Sequence, residues 1–216
     1  MKYTIFWVPN EGVHPHATQE TYDRIWPIMH RSVRKLGHKL IHITDEKTPS
    51  LGDEVYRVPG LNPKHTMKAR DEAWLNFLLS LDADEQACMI EPDTLMLRDV
   101  PPIQDGYDMV LLRRPESCVP GWFKLAKRSA APFYQQVVDN YANVPQDLWG
   151  FHGDIHALHM ACGIGAKETA HAIPSEACGV TIEVRNWPCY GFRKAHSNMR
   201  NQVFFQFKGT SKKDMQ

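Results

Sequence analysis

The chain has 216 residues, with 25 Lys plus Arg set against 25 Asp plus Glu and a formal net charge of zero. That length suits one domain with a substantial core, and the charge balance excludes a whole-surface grip on DNA or anionic lipid. No run of about 18 apolar residues predicts a membrane span, and the apolar run at 3–8 meets Pro9 too soon to be a signal peptide. Five cysteines, Cys88, Cys118, Cys162, Cys178 and Cys189, include no C-x-x-C pair. Their scatter argues against a disulfide framework or zinc ribbon and fits the reducing cytoplasm.

In chain order, residues 3–8 are rich in β-formers and predict a buried strand ending at the loop signal Pro9-Asn10-Glu11-Gly12. Tyr22, Ile25, Trp26, Met29, Val33 and Leu36 recur at three- and four-residue steps and predict a helix closed by Gly37, with Pro27 as a kink. Leu40–Thr44 reads as a second strand ending at Asp45, and 55–58 as a short third. Met67, Arg70, Trp74, Phe77, Leu78 and Leu81 mark another helix. Residues 87–90 form a strand running into Glu91-Pro92-Asp93, and 109–112 a further one. Phe133, Val137, Val138 and Tyr141 predict a helix, as does 154–162, while 180–184 and 203–207 read as late strands. Alternating strands and helices in the first half imply a mostly parallel sheet flanked by helices, with ligands at the carboxyl ends of its strands.

The string CMIEPDTLMLRDV at 88–100 carries the most chemistry. On an extended chain, carboxylates at i and i+2 point to one side. Glu91 and Asp93 would then offer two hard oxygens at an open strand end, a set suited to Mg²⁺ or Mn²⁺ beside a diphosphate.

The same string resembles the D-x-D segment of GT-A glycosyltransferases, especially the group around glycogenin and the bacterial galactosyltransferases. There an apolar strand, D-x-D, an apolar hook and R-D follow one another. The resemblance implies an α/β, Rossmann-like nucleotide-diphospho-sugar transferase fold as a single domain over 1–216. About 1–100 would be its nucleotide-binding half and about 101–216 its acceptor half with the C-terminal strand. It implies a divalent metal, Mn²⁺ or Mg²⁺, held by Glu91 and Asp93. Glu91 stands where the family has Asp, so it binds through water or meets the ribose instead.

Other landmarks extend the resemblance. Pro9 and Asn10 resemble the first donor-binding loop, and Asp45 the base-contacting end of the second strand. MKARDEAW at 67–74 places Arg70 where relatives keep a basic residue near the donor. LWGFHGDIHAL at 148–158 resembles the segment ending in D-Q, whose Asp faces the donor sugar; this makes Asp154 the catalytic candidate, although Ile155 replaces the Gln. A plain helix cap explains the same Asp154. FQFKGTSKK at 205–213 resembles an H-F-x-G-x-x-K ending, which gives Gln206 the third metal position (His196 is the alternative) and gives Gly209 and Lys212 the diphosphate.

These features together imply transfer of a sugar from a UDP-like donor to a hydroxyl on a glycan, a protein or a modified nucleobase. Two other readings share the fold. A nucleotidyltransferase would show a glycine-rich, basic first loop, which PNEGVHPH is not; a non-catalytic nucleotide-sugar-binding protein fits the departures at Glu91 and Gln206. A zinc site at His152, His156 and His159 has helical spacing but not the H-E-x-x-H order.

Overall fold

The computed structural model describes residues 1–9, 19–113, 121–150, 152–165, 173–186 and 203–206, with the backbone alone of Gln19, Asn186, Phe205 and Gln206. The first half gives β1 (Lys2–Phe6), α1 (Gln19–Lys35), β2 (Leu40–Thr44), β3 (Glu54–Arg57), α2 (Thr66–Leu79), β4 (Gln86–Ile90) and β5 (Thr94–Met96). The second half gives β6 (Met109–Arg113), β7 (Lys124–Lys127), α3 (Ala131–Asn140), α4 (Gly153–Ala161), β8 (Glu176–Ala177), β9 (Val180–Asn186) and β10 (Phe204–Gln206).

Eight strands form one sheet in the order β3-β2-β1-β4-β7-β6-β9-β8. β1 runs parallel to β2 and β4, and β2 to β3. β7 lies antiparallel between β4 and β6, and β9 returns parallel to β6. The apolar run Met89–Ile90 fits a strand covered on both sides, as buried parallel strands require. β7 has no such run. Its sequence KLAK reads as polar, yet Lys124 is 1% exposed.

Alternation along the strands divides the core in two. Tyr3, Ile5, Cys88, Ile90, Val110 and Leu125 face α1, which contributes Ile25, Met29 and Val33. Phe6, Met89, Met109, Leu111 and Ala126 face the opposite layer, built from Trp74, Phe77, Phe133, Val137 and Leu158 of α2, α3 and α4. α1 stays helical through Pro27. It ends as its sequence predicts: Gly37 takes φ 84°, its N–H bonds the Arg34 carbonyl, and His38 N–H bonds the Val33 carbonyl. That pair of bonds is a Schellman cap.

The apolar hook after Asp93 is the short strand β5, and it forms a separate ribbon with β10, antiparallel, in the register Phe204↔Met96, Phe205↔Leu95 and Gln206↔Thr94. Leu97 and Arg98 N–H groups also bond the Val203 carbonyl. The chain's late strand is thereby tied to the residue that follows the acidic turn.

Candidate functional site

β1 and β4 are adjacent and parallel, so their carboxyl ends open side by side. There Phe6, Trp7, Val8, Tyr22, Thr66, Met67, Arg70, Ile90, Glu91 and Pro92 line a pocket of about 70 Å³. That volume takes a few water molecules or one small substituent, so a larger ligand would lie across the mouth. A bigger hollow of about 430 Å³ lies at the opposite, amino ends of β1 and β4, around Met1, Lys2, Asp84 and Glu85. Ligand chemistry in such sheets belongs at the carboxyl ends, and there the smaller pocket has convergent charges.

Those charges meet on Arg70. One guanidinium nitrogen donates to Glu91 Oε1 at 2.6 Å, and another to Asp154 Oδ2 at 2.5 Å. Arg70 and Asp154 side chains are 5% and 8% exposed. Planar forked donors suit two carboxylates at once, and such charge-assisted bonds are the strong ones. Burial opposes the charge on Arg70, but Asp154, Glu91 and Asp71 more than offset it and raise its pKa. Its remaining nitrogen, Nε, is buried without a bond partner among the described residues; such a group calls for an explanation when it occurs in a core.

The acidic turn differs from the extended chain expected of it. Thr94 N–H bonds the Glu91 carbonyl at 3.0 Å, so 91–94 is a β-turn with Pro92 at its second position, where proline is favoured. The turn sends Glu91 towards Arg70 and leaves Asp93 at 4% exposure. The two acids therefore do not share one side of a straight strand. Gln206 pairs through its backbone with Thr94, next to Asp93. Carboxylates and an amide carbonyl are all hard oxygen donors, which fits Mg²⁺ or Mn²⁺ with phosphate and water completing the shell. Among the described residues no three His, Cys, Asp or Glu side chains gather as a metal group, so His152, His156 and His159 do not make a zinc site.

Asp154 does not cap α4. The capping position is His152, at φ 71°, with no side-chain bond to the helix. Asp154 sits in the first turn and reaches across to α2. Gly121 lies against it: a methyl group there would come within 2.8 Å of Asp154 Cγ. Gly153 is equally confined, with a Cβ meeting the Leu148 carbonyl at 2.7 Å and the Tyr141 ring at 3.1 Å.

Asp45 forms a local turn, accepting the N–H groups of Lys47 and Thr48 at 3.0 and 2.7 Å. Burial acts against its ionisation, but those bonds win and its pKa is lowered. It does not line the pocket. Pro9 is exposed just beyond β1. Asn10, His196, Gly209 and Lys212, and the Gln206 side chain, lie outside the described residues.

The sequence reading missed a second ion pair behind the first. Lys124 Nζ is 2.7 Å from Asp71 Oδ1, both 1% exposed, and Tyr141 OH donates to Asp71 Oδ2 at 2.7 Å. Burial lowers the Lys124 pKa, with Asp71 acting against it, and burial followed by Asp71 raises that of Tyr141. Residue type gave little signal, because Arg70 and Asp71 sit in a charged run with Lys68 and Glu72. The amino end of α2 holds another surprise. Its Met67 and Lys68 N–H groups both bond the Trp149 carbonyl, at 3.1 and 3.3 Å. A helix start that would otherwise receive phosphate is thus occupied.

The order β3-β2-β1-β4, the antiparallel β7, and the separate ribbon beside the acidic turn define a GT-A, Rossmann-like nucleotide-diphospho-sugar transferase fold. Among solved structures the chain is similar to the crystal structure of a glycosyltransferase involved in the glycosylation of the major capsid of PBCV-1. The TM-score is 0.63 at 9% identity, over 100% of this chain and 99% of that one. At that identity the likeness is one of fold. No family model matches the sequence, and no curated protein matches it.

Proposed function

We propose that this chain is a metal-dependent glycosyltransferase of the glycogenin and bacterial galactosyltransferase kind, moving a sugar from a UDP-like donor to a hydroxyl acceptor. One observation carries the reading. Arg70 joins Glu91 of the acidic turn to Asp154 of α4, so three segments that separately resemble donor-binding landmarks meet beside one pocket. The fold shared with a glycosyltransferase supports it. In this reading the first half supplies Arg70, Glu91 and Asp93, and the second half supplies Asp154 and Gln206.

Asp93, the Gln206 carbonyl and Glu91 through water would hold Mn²⁺ or Mg²⁺, which supplies Lewis-acid stabilisation of the departing diphosphate. Because the Trp149 carbonyl occupies the start of α2, the helix amides are not the phosphate site. A metal held at the acidic turn, with Gly209 and Lys212, would instead offset the charge of the diphosphate. Pro9, Asn10 and Asp45 would border the base. Arg70 fixes Asp154 by one oxygen, and its other oxygen orients a donor hydroxyl. The bond from anomeric carbon to diphosphate breaks, the acceptor oxygen takes its place, and the hydroxyl proton passes to diphosphate or water. No described helix is long and apolar enough to cross a membrane. Among the described residues Cys88, Cys162 and Cys178 are free, and the proposed place of action is the cytoplasm.

The test is incubation with UDP- and GDP-sugars plus Mn²⁺, with glycan, protein and nucleoside acceptors in separate arms. Sugar transfer supports the proposal. Pyrophosphate release would replace it with a nucleotidyltransferase, and binding without turnover with a non-catalytic sugar-nucleotide receptor. Asp93→Asn should lower transfer by about a hundredfold, the scale of a lost electrostatic stabiliser; transfer at the wild-type rate under saturating donor would refute the metal assignment.

A further inference from the structure

The Lys124–Asp71–Tyr141 cluster makes no contact with the pocket, yet it buries two opposite charges directly behind Arg70. Burying such a pair rarely adds net stability compared with apolar residues of the same size. Stability alone therefore does not account for it, and its position supplies another account.

Asp71 is the next residue after Arg70 on α2, fully buried. Adjacent helical positions diverge, and Arg70 pairs with Glu91 and Asp154 while Asp71 pairs with Lys124, yet the two neighbouring charges still feel one another. Asp71 acts on Arg70, and both Arg70 and Asp154 act on Lys124. A bare carboxylate at Asp71 would compete with Asp154 and Glu91 for the guanidinium. Both of its oxygens instead face groups from other elements: Oδ1 lies 2.7 Å from Lys124 Nζ of β7 as an ion pair without hydrogen-bond geometry, and Oδ2 accepts from the Tyr141 hydroxyl at 2.7 Å. Tyr141 also packs against Gly153, the residue before Asp154, so the group that satisfies Asp71 also braces the start of α4.

We infer that Lys124 and Tyr141 are positioning residues: by neutralising and holding Asp71 they leave Arg70 to clamp Asp154 and Glu91. The inference rests on the transferase reading for its rate effect but not for its structural effect. Lys124→Met exposes Asp71 as a competitor, and Tyr141→Phe does so in part. Asp71→Asn combined with Lys124→Met removes the competitor and its partner together.

Two readouts decide the matter. The first is the place of the Arg70 guanidinium in crystal structures of wild type, Tyr141→Phe, Lys124→Met and the double variant. It should shift from Asp154 towards Asp71 in the single variants and return in the double. The second is steady-state transfer. Lys124→Met should lose at least about tenfold in kcat, because small misplacements of orienting groups cost rate steeply, with donor KM nearly constant, and the double variant should recover most of that loss. A merely structural pair predicts the opposite: Arg70 stays in place, and kcat follows melting temperature in every variant. That result overturns the inference. Should Lys124→Met fail to fold, Tyr141→Phe against the double variant makes the same comparison. Should the wild type transfer no sugar, the functional proposal falls, and the Arg70 positions still decide this one.

Discussion

Replacing Asp154 with Asn tests the Arg70 clamp most directly, because it removes one charge and little shape. The carboxylate accepts from Arg70 at 2.5 Å, and both side chains are less than a tenth exposed. Removing one partner of such a pair costs about 3–5 kcal/mol when the other is left uncompensated. Here Glu91 remains at 2.6 Å, and the Asn carbonyl still accepts, so a loss of about 2 kcal/mol is expected, at the low end of buried charged bonds. For a chain of 216 residues that lowers Tm by about 4–8 °C, at roughly 2–4 °C per kcal/mol. A plain helix cap would behave otherwise, since Asn caps as well as Asp and would leave Tm in place. Thermal melts of Asp154→Asn, Glu91→Gln and the double variant measure the coupling between the two acids through their shared cation. Should Asp154→Asn melt within about 1 °C of wild type, the clamp carries no stability of the expected order and the reasoning fails.

Gly121→Ala should push the Asp154 carboxylate away from Arg70, lowering stability by about 1–3 kcal/mol as overpacking does, read by urea denaturation. Glu91→Asp withdraws the carboxylate by one methylene from its 2.6 Å contact with Arg70. It should cost about 1–2 kcal/mol in the same assay, and wild-type stability would show that the shorter acid still reaches. His42 is fully buried, with Leu51 N–H donating to Nδ1 at 3.2 Å and Nε2 bonded to the Trp7 carbonyl at 3.0 Å. Burial lowers its pKa from 6.5 to about 4. Between those values the unfolded chain binds a proton that the native chain does not, so stability falls as pH falls through that window. By pH 5 the loss is about 2 kcal/mol, and His42→Gln should flatten this part of the curve; an unchanged slope would exclude His42 as its source.

Much of the frame was legible because local patterns and tertiary packing agree. The 3.6-residue rhythm of α1, the glycine at Gly37 and the apolar runs of β1 and β4 all report burial that the structure delivers. β7 was not legible, since KLAK alternates like a solvated strand and only the pairing of Lys124 with Asp71 makes its burial tolerable. Arg70, Glu91 and Asp154 each stand out by position, but their meeting depends on contacts separated by 21 and 84 residues, which no spacing reveals. The bend at 91–94 was signalled by Pro92, whose fixed φ suits the second position of a turn. The Trp149 carbonyl on α2 is a backbone event and leaves no trace in residue type.

The ribbon of β5 and β10 has a consequence for how the molecule assembles. β5 adjoins the acidic turn, but its partner strand lies at the far side of the second half of the chain. Closing so long a loop is entropically costly and slow relative to local structure. During synthesis the parallel strands around β1 can pair while β5 still waits with one edge bare, and Asp154 too arrives late. Folding intermediates should therefore acquire the sheet before the neighbourhood of Asp93 is closed. A refolding trace followed by tryptophan fluorescence would then run ahead of one followed by nucleotide binding.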